Sequence, residues 1–462
     1  MKIHTILQNV FANRHFDCQA KAGGLLTITA VLLCGVTAAQ PAADNRIAAE
    51  QGFTIQAGVS TPIVLKTSPD AACDVHGDQV NDKGMRFYAN GDGYLKIHVT
   101  PRLDEAEGDL QLDCKAADGK LTRYPLHLRA SSSPTVDMPA PQTVMPMAQG
   151  SRLRPALTET EMEQLSEQEL ARRGYPQRPD AVGAPGDYAA WREIVSRPMT
   201  QLSSHRVSRD DIRHHTQQVQ AGDEENYNWS GYVATGKAGS YMNIHAYWNV
   251  PEIVACESGN STYSALWVGL DGFNESQLTQ AGTEQDCYDA ILFYVTSYTA
   301  WEEFLPLQPT EQQLDLSPNP GDNMFVQVFN GNAAGQPKVN GAYFWYEVDD
   351  ITQGQYVYTN IPYSACDPEP YFCYAIGATT EWIAERPGLG PNTYAELSDY
   401  DWDKMTNAYV WTGASKYLEY SQTNAQELWM YNEYYNGDDN NKLSSATNDG
   451  ASTIYFQWHN FH

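Results

Sequence analysis

Short runs that alternate between hydrophobic and polar residues fill the chain from about residue 226 to its end. A period of two is typical of a β-strand with one buried face. Turn residues separate the runs, and no amphipathic helical pattern interrupts them. The clearest runs are NWSGYVAT, NIHAYWNVP, YSALWVGLDG, ILFYVTSY, NMFVQVF, GAYFWYEV, YAIGATTEWIAE and TIYFQWH. The pattern predicts an all-β domain over residues 223–462, a two-sheet antiparallel β-sandwich.

One of these runs, TTEWIAE at residues 379–385, carries two acids beside an isoleucine. Because side chains alternate along a strand, Glu381, Ile383 and Glu385 share one face, and Trp382 and Ala384 share the other. The simplest interpretation is a solvated outer face with Trp382 in the core. A functional site on the acidic face is the alternative, and the strand alone does not decide between them.

Two further regions precede this domain. Residues 40–130 hold the short runs FTIQA, PIVLKT, RFYAN, YLKIHVT, DLQLDC and YPLHLRA, which predict a small β-sandwich-like domain. Residues 131–222 begin with a linker rich in Pro, Ser and Met and continue into a helical, Arg-rich segment. Its helical patterns cover residues 158–173, where Thr158 and Glu161 match a capping box, and residues 187–195.

The N-terminus has the features of an export signal. Basic residues precede the apolar run GLLTITAVLLCGV at 24–36, and small residues follow it. We therefore expect residues 1–39 to be a signal peptide and the protein to be secreted and extracellular. Six cysteines then remain, an even number that is typical of disulfides in exported chains. The expected pairs are the neighbours in sequence: Cys73–Cys114, Cys256–Cys287 and Cys366–Cys373.

The charge is strongly acidic and unevenly distributed. The formal net charge is -28, and residues 223–462 contain 32 Asp or Glu against six Lys or Arg. Nucleic-acid binding needs a basic face, so a nucleic-acid partner is not expected. An acidic surface suits a soluble protein, and it also suits one that works in acid, where carboxylates protonate and repel one another less.

Several catalytic chemistries lack their residues in the second half of the chain. It has only three histidines and no His-Glu-x-x-His, which argues against a zinc hydrolase. There is no Gly-x-Ser-x-Gly, no Asp-Thr-Gly or Asp-Ser-Gly loop, and no phosphate-binding or dinucleotide-binding motif. The residues therefore predict no metal and no cofactor, and they leave acids, amides and aromatic residues to carry any chemistry.

Six motifs occur in one order: Asn228-Trp-Ser-Gly-Tyr, Tyr247-Trp-Asn-Val-Pro, Leu266-Trp-Val-Gly-Leu-Asp-Gly, Leu278-Thr-Gln-Ala-Gly, Tyr298-Thr-Ala-Trp-Glu-Glu-Phe-Leu-Pro and Glu381-Trp-Ile-Ala-Glu. Each is weak alone, but the ordered set resembles the eqolisin, or glutamic peptidase, family. The resemblance extends from about residue 226 to the last strand. It implies a β-sandwich and an acid-active endopeptidase that hydrolyses polypeptides.

The resemblance also implies particular site residues. Gln280 and Glu385 match the family's catalytic Gln-Glu dyad, and Gly282 fixes the register that selects Gln280. Trp229 and Trp301 match aromatic residues that line the substrate cleft, and Glu303 matches an acid near it. Fungal members have Asp where this chain has Thr299, which removes one carboxylate from the network. Glu381 is left open as either a partner of the site or an exposed residue.

On this interpretation the Arg-rich segment is a pro-segment that inhibits the enzyme within the same chain. Acid would weaken its attraction to the carboxylates and charge His205, His214 and His215, which would favour release and cleavage between residues 217 and 226. We expect a monomer that is not bound to a membrane. The alternatives are a glycoside hydrolase with two carboxylates and a carbohydrate-binding module, because Trp, Tyr and Asn also bind sugars.

Overall fold

The chain folds into two large β-sheets, as the alternating pattern predicts, and this all-β sandwich is confirmed. The computed structural model describes residues 46–77, 84–132, 138, 140–146, 150–216, 225–365, 375–390, 393–413, 417–432 and 439–462. The predicted signal peptide at 1–39 lies outside these residues, as does most of the predicted cleavage region.

The first part of the described chain is strands only. These are β1 (Arg46–Ile47), β2 (Gln51–Gln56), β3 (Thr61–Lys66), β4 (Ala72–His76), β5 (Met85–Tyr88), β6 (Tyr94–Pro101), β7 (Glu107–Lys115) and β8 (Leu121–Ser131). A small sheet runs in the order β1-β8-β7-β4-β5, with β2 also paired to β8. Strands β1 and β2 run parallel to β8, so this sheet is mixed rather than purely antiparallel.

A helical segment follows, which we define as residues 152–201. Its elements are β9 (Arg152–Arg154), α1 (Glu159–Gln164), α2 (Glu167–Arg172), α3 (Pro185–Val195) and β10 (Met199–Gln201). The predicted capping box of Thr158 and Glu161 is present at α1. The single helix expected over 158–173 is wrong, because Leu165 is extended and the Ser166 side chain caps a second helix at the Glu169 amide.

The rest of the described chain is again almost entirely β. Its strands are β11 (Arg206–Ser208), β12 (Glu225–Asn226), β13 (Trp229–Thr235), β14 (Tyr241–Asn249), β15 (Ser261–Leu270), β16 (Leu278–Asp289), β17 (Phe293–Leu305), β18 (Gln312–Leu314), β19 (Asn323–Gly331), β20 (Tyr343–Asp350), β21 (Gln355–Pro362), β22 (Thr379–Glu385), β23 (Gly388–Gly390), β24 (Thr393–Tyr394), β25 (Glu396–Leu397), β26 (Trp402–Thr412), β27 (Tyr417–Glu419), β28 (Gln426–Tyr431), β29 (Lys442–Asn448) and β30 (Ile454–Trp458). Short 3₁₀ turns cover Tyr363–Ala365, Tyr420–Gln422 and Asp439–Asn441.

Two sheets share one hydrophobic core. The front sheet runs in the order β3-β6-β17-β16-β15-β22-β13-β28, and β18 adds to β17 and β11 to β18. The back sheet runs in the order β9-β10-β21-β20-β19-β14-β26-β30-β29-β28, so the two sheets join at β28. Alternate residues of both sheets meet in the core, for example Trp382 of the front sheet and Ile244 of the back sheet.

The N-terminal strands are built into the front sheet. Strand β6 pairs antiparallel with β17, with Val99 opposite Val295, and β3 pairs with β6. The contacts within residues 45–462 form one compact unit. The domain boundaries at 130 and 222 remain predictions, but β3 and β6, which belong to the first predicted domain, share a sheet with the second half of the chain.

Two of the three expected disulfides are confirmed. Cys73 and Cys114 are bonded across β4 and β7, and Cys256 is bonded to Cys287 of β16. Cys366 and Cys373 lie outside the described residues. Within the part of the chain that the structure describes, no helix has the length and apolar character needed to cross a membrane.

Candidate active site

The front sheet has a polar and aromatic face turned away from the shared core, which we call the front face. On β22 the core takes Trp382 and Ala384, and Ile383 belongs to a separate cluster with Trp229, Trp267 and Trp301. Strand alternation therefore puts Glu381 and Glu385 on the front face with Ile383. Gln280 of β16 and Glu303 of β17 lie directly opposite each other in the sheet. The same alternation of side chains puts both of them on the front face.

Glu385 is fully buried, and two side-chain donors fix its carboxylate. The Trp267 indole Nε1 donates to Oε2 at 2.7 Å, and the Asn228 Nδ2 donates to Oε1 at 2.9 Å. Trp229 lies directly opposite Glu385 on β13. Charge-assisted hydrogen bonds of this kind are strong and directional, so both carboxylate oxygens are held in place.

Gln280 and Glu303 form a second buried pair. Gln280 Nε2 donates to Glu303 Oε2 at 2.9 Å, while Gln280 Oε1 accepts no hydrogen bond from the described residues. Burial raises the pKa of Glu303 well above its ordinary value, with Glu385 and Glu311 adding to the effect. Gln280 and Glu385 are not hydrogen-bonded to each other in the described residues, and Glu303, the partner of Gln280, is close enough to Glu385 for that acid to raise the pKa of Glu303.

The front face is covered by the chain itself, through residues 206–216, which we call the front segment. Strand β11 pairs antiparallel with β18, and Arg209 N donates to Glu311 O at 2.8 Å. On the other side, Arg213 and Gly388 exchange two main-chain hydrogen bonds, at 2.9 and 2.7 Å. An extended segment held on both edges by main-chain bonds occupies the front face in the manner of a bound peptide.

His214 of the front segment contacts Glu385 directly. Its Nδ1 lies 2.9 Å from Glu385 Oε2, its Nε2 lies 3.3 Å from Glu311 Oε2, and its ring stacks on Trp301 at 4.0 Å. Burial alone lowers the pKa of His214, but the Glu385 charge and the hydrogen bonds to Glu311 and Glu385 raise it to about 10. The imidazole is therefore a buried cation between two carboxylates.

Arg209 brings a second buried cation to the front face. Its guanidinium donates to Asp286 Oδ2 at 3.1 Å and to Asp211 at 3.1 Å, and its side chain is 1% exposed. Asp286 and Glu284 lie on β16 with the same parity as Gln280, and burial raises the pKa of both acids. The cations of the front segment thus lie among the acids of the front face.

A sequence comparison identifies the family to which these residues belong. The profile of the Peptidase A4 family, the eqolisins, matches residues 227–458, half of the chain. The chain belongs to this family. It is a glutamic-type peptidase, and its substrates are polypeptides. No curated protein sequence matches the chain.

Solved structures of other peptidases are similar to this one only distantly. Scytalido-glutamic peptidase with a transition state analog inhibitor is 17% identical, with a TM-score of 0.38, over 51% of this chain and 99% of that one. SCP-B, an eqolisin in complex with the tripeptide Ala-Ile-His, is 16% identical, with a TM-score of 0.37 and the same coverage. Aspergilloglutamic peptidase from Aspergillus niger is 21% identical, with a TM-score of 0.33, over 43% of this chain and 99% of that one.

In this peptidase all five site residues predicted from the motifs lie on the front face: Gln280, Glu385, Trp229, Trp301 and Glu303. Trp229 packs edge-on against Trp267 with ring centroids 4.9 Å apart. Glu381 is not exposed, which excludes the solvated interpretation; it is fully buried, and burial raises its pKa well above the ordinary value. Thr299 lies opposite Glu284 in register, so a neutral hydroxyl replaces the expected carboxylate beside an acid.

Sequence reasoning missed four residues that contact the peptidase site: Asn228, Trp267, Glu311 and, as a contact of Glu385, His214. Asn228 and Trp267 stand inside the quoted motifs, so the motifs already contained the signal. Glu311 is in no motif and reaches the site because β18 folds back onto β17. His214 was named only as a titrating residue of the pro-segment, and nothing in a single sequence indicated its contact with Glu385.

One group on the front face has the spacing of metal ligands. Ligand atoms of His214, Glu284 and Glu311 lie within 4.8 Å of one another. His214 already bonds Glu311, and the Arg209 guanidinium lies 3.9 Å from the same carboxylate. The charge of Glu311 is therefore already countered by groups of the protein itself.

Proposed function

We propose that the chain is the secreted precursor of an acid endopeptidase in which Gln280 and Glu385 form the catalytic dyad. The observation that carries the proposal is the setting of Glu385. Its carboxylate is held by Asn228 and Trp267 on the front face, and the chain's own extended segment covers it. Membership of the glutamic peptidase family supports the same pair of residues.

Of the two residues of the proposed dyad, only Glu385 has a side chain that can accept and donate a proton during the reaction. As a carboxylate it takes a proton from water while that water attacks the peptide carbonyl, and it then gives a proton to the leaving nitrogen. Asn228 and Trp267 orient the carboxylate and contribute only uncharged N–H donors.

Gln280 supplies a neutral amide at every pH. In the precursor its Nε2 is bonded to Glu303 and its Oε1 accepts no hydrogen bond from the described residues. The amide N–H groups can stabilise the oxyanion, and the carbonyl can orient the water. Trp229, Trp301 and Glu303 line the same face, and we assign them to substrate binding.

The front segment is the inhibitory part of the proposed pro-segment. His214 bonds the carboxylate that must activate water, and its ring covers Trp301, so substrate and inhibitor compete for one place. Main-chain pairing to Glu311 and Gly388 uses the backbone groups that would otherwise be available to an extended substrate.

Acid alone is not expected to release this segment. The raised pKa of His214 means that its contribution to docking is present below its usual value near 6.5 and is lost only as pH rises through about 10. Burial raises the pKa of Glu303 and of Asp286, whereas the charges of His214 and Arg209 in the front segment lower these two pKa values. Of the two histidines of the front segment, His215, whose pKa burial lowers, favours release in acid.

These directions run against the release mechanism expected from the sequence. The carboxylates of the front face do lose their attraction for a cation when protonated, but His214, which was expected to gain its charge in acid, already carries it at neutral pH because its pKa is raised to about 10. Activation therefore needs a break in the chain, which we place between residues 217 and 226. The break frees the end of the front segment and lets substrate displace it.

The direct test is hydrolysis of a denatured protein at about pH 4, near the ordinary titration of glutamic acid, by the purified chain after it has been cut between residues 217 and 226. We expect cleavage that continues in the presence of pepstatin, an inhibitor of aspartic peptidases, and that disappears in the Glu385→Gln variant. Cleavage by Glu385→Gln at the wild-type rate would refute the dyad.

A further inference from the structure

The helical segment covers a different surface from the one that the front segment covers. It lies on the back sheet, on the face turned away from the shared core. Strand alternation puts Val348 of β20 and Val357 of β21 in the core, while Glu347, Asp349 and Tyr356 point toward the helical segment. We call this surface the back face.

Arg154 anchors the start of the helical segment to the back face. Its guanidinium lies 2.9 Å from Glu347 Oε1 and 3.2 Å from Asp349 Oδ2, and its side chain is 1% exposed. The same group lies 4.0 Å from the centre of the Tyr356 ring and donates to the Gly174 carbonyl at 2.6 Å. The buried guanidinium thus contacts acids, an aromatic face and a carbonyl at the same time.

Helix α3 and β10 form the second part of this contact. Ile194 and Met199 are fully buried in one cluster with Tyr247, Phe325 and Tyr356 of the back sheet. Strand β10 then extends the back sheet by pairing with β21.

A polar group lies within the same interface. Asp187 of α3 is fully buried and bonds His245 at 3.0 Å and the Tyr417 hydroxyl, both on the back face. Loss of the segment would therefore expose large aromatic side chains and leave His245 without this acid. Exposed apolar patches of that kind are unusual on soluble proteins.

We infer that the helical segment is a lasting part of the enzyme: after the chain is cut between residues 217 and 226, residues 152–201 stay on the back face as a second, non-covalent chain. This inference rests on the proposed cleavage, and it separates two roles within the predicted pro-segment. Residues 206–216 inhibit, and residues 152–201 complete the fold of the back sheet.

Two further observations support retention in acid. Arg154 keeps its contact with the Tyr356 ring when Glu347 and Asp349 become protonated, and the packing of Ile194 and Met199 against the back sheet does not depend on charge. In addition, β6 belongs to the same N-terminal chain and pairs with β17 of the front sheet. The N-terminal chain is therefore held at two independent places.

The test does not depend on the chain's own activity. A site for a sequence-specific endopeptidase is placed within residues 217–224 of the Glu385→Gln variant, and the folded protein is cut by the added enzyme. We expect both pieces to co-elute in size-exclusion chromatography at about pH 4 and α3 to keep its protection in hydrogen exchange. Separate elution of the N-terminal piece, or loss of protection in α3 on cutting, would overturn the inference.

Arg154→Met tests the anchor, with Arg152→Met as the matched control, because Arg152 lies two residues away on the same short strand and is exposed. In the cut protein at neutral pH, Arg154→Met should speed exchange in α3 and β20, and Arg152→Met should leave it unchanged. Equal exchange in the two variants would show that Arg154 does not anchor the segment. If the chain shows no peptidase activity but the two pieces remain together after cutting, the proposed dyad is wrong, and the inference that the N-terminal chain is retained still holds.

Discussion

Removal of the His214 imidazole should activate the uncut precursor. In His214→Ala the front segment loses two charge-assisted hydrogen bonds, at 2.9 and 3.3 Å, and its stacking on Trp301 at 4.0 Å. Each such hydrogen bond contributes about 1.5–3 kcal/mol, and an aromatic stack about 0.5–1.5 kcal/mol. In the open state, water replaces part of these hydrogen bonds. We therefore expect His214→Ala to lose about 3 kcal/mol of docking free energy.

That loss corresponds to roughly a 100-fold larger open population, because about 1.4 kcal/mol is a factor of ten. The assay is the initial rate on a short fluorogenic peptide in acid, with the chain shown by gel to be uncut. His205→Ala is the matched control, since His205 of the same region bonds Asp70 and is 39% exposed. Equal rates for His214→Ala, His205→Ala and the unchanged precursor would refute the inhibitory contact.

A synthetic peptide of residues 202–216 provides a check that does not depend on folding of a variant. It should inhibit the cut enzyme, and alanine in place of His214 should weaken inhibition by about the same 100-fold factor. Alanine in place of His205 should change inhibition little. A peptide whose inhibition does not depend on His214 would show that main-chain pairing alone holds the segment.

Four further predictions concern the dyad and maturation. Gln280→Ala should lower turnover by about 10²–10³, as expected for loss of an oxyanion donor, with little change in the affinity of a non-cleavable peptide; near wild-type turnover would show that the donor lies elsewhere. Gln280→Glu should keep some activity in acid, where a protonated acid can still donate, and lose it as pH rises through the titration of that group; a flat profile between about pH 3 and 6 would contradict this. Asn228→Ala should lower turnover by about tenfold or more, because one of the two donors that hold Glu385 is lost, whereas an unchanged rate would leave Trp267 as the sole positioning group. N-terminal sequencing of the active extracellular form should find a new terminus between residues 217 and 226, and an active form whose only terminus lies near Gln40 would exclude cleavage in this region.

Strand alternation and the sequence motifs together predict on which face of the sheet the site residues lie. Parity on TTEWIAE places Glu381, Ile383 and Glu385 on one face, and the structure has them there. The same parity on LTQAGTEQD would have added Glu284 and Asp286 to the face of Gln280. Glu381 was left open because alternation gives the face of a residue and not whether another segment covers that face.

The rest of the site depends on contacts between distant parts of the chain. The front segment covers Glu385 through His214, 171 residues earlier in the sequence. No local pattern in the sequence indicated that pairing. Similarly, β6 joins the front sheet at β17, so an N-terminal region that looks like a separate domain shares a sheet with the catalytic half. Helix α1 ends early because the Ser166 side chain caps the start of a second helix. A helical pattern averaged over residues 158–173 does not show this local effect.

The most direct test of the dyad compares Glu385→Gln with Glu381→Gln. Both acids lie on β22, both are fully buried, and they differ by four residues on one face. Burial raises the pKa of Glu381 well above its ordinary value, so the neutral amide of Gln closely imitates its protonated form. In the proposed mechanism Glu385 changes its protonation state in each turnover, which an amide cannot do. We expect kcat at the acid optimum to vanish in Glu385→Gln and to remain measurable in Glu381→Gln, whereas an active Glu385→Gln beside an inactive Glu381→Gln would contradict the assignment of the catalytic glutamate.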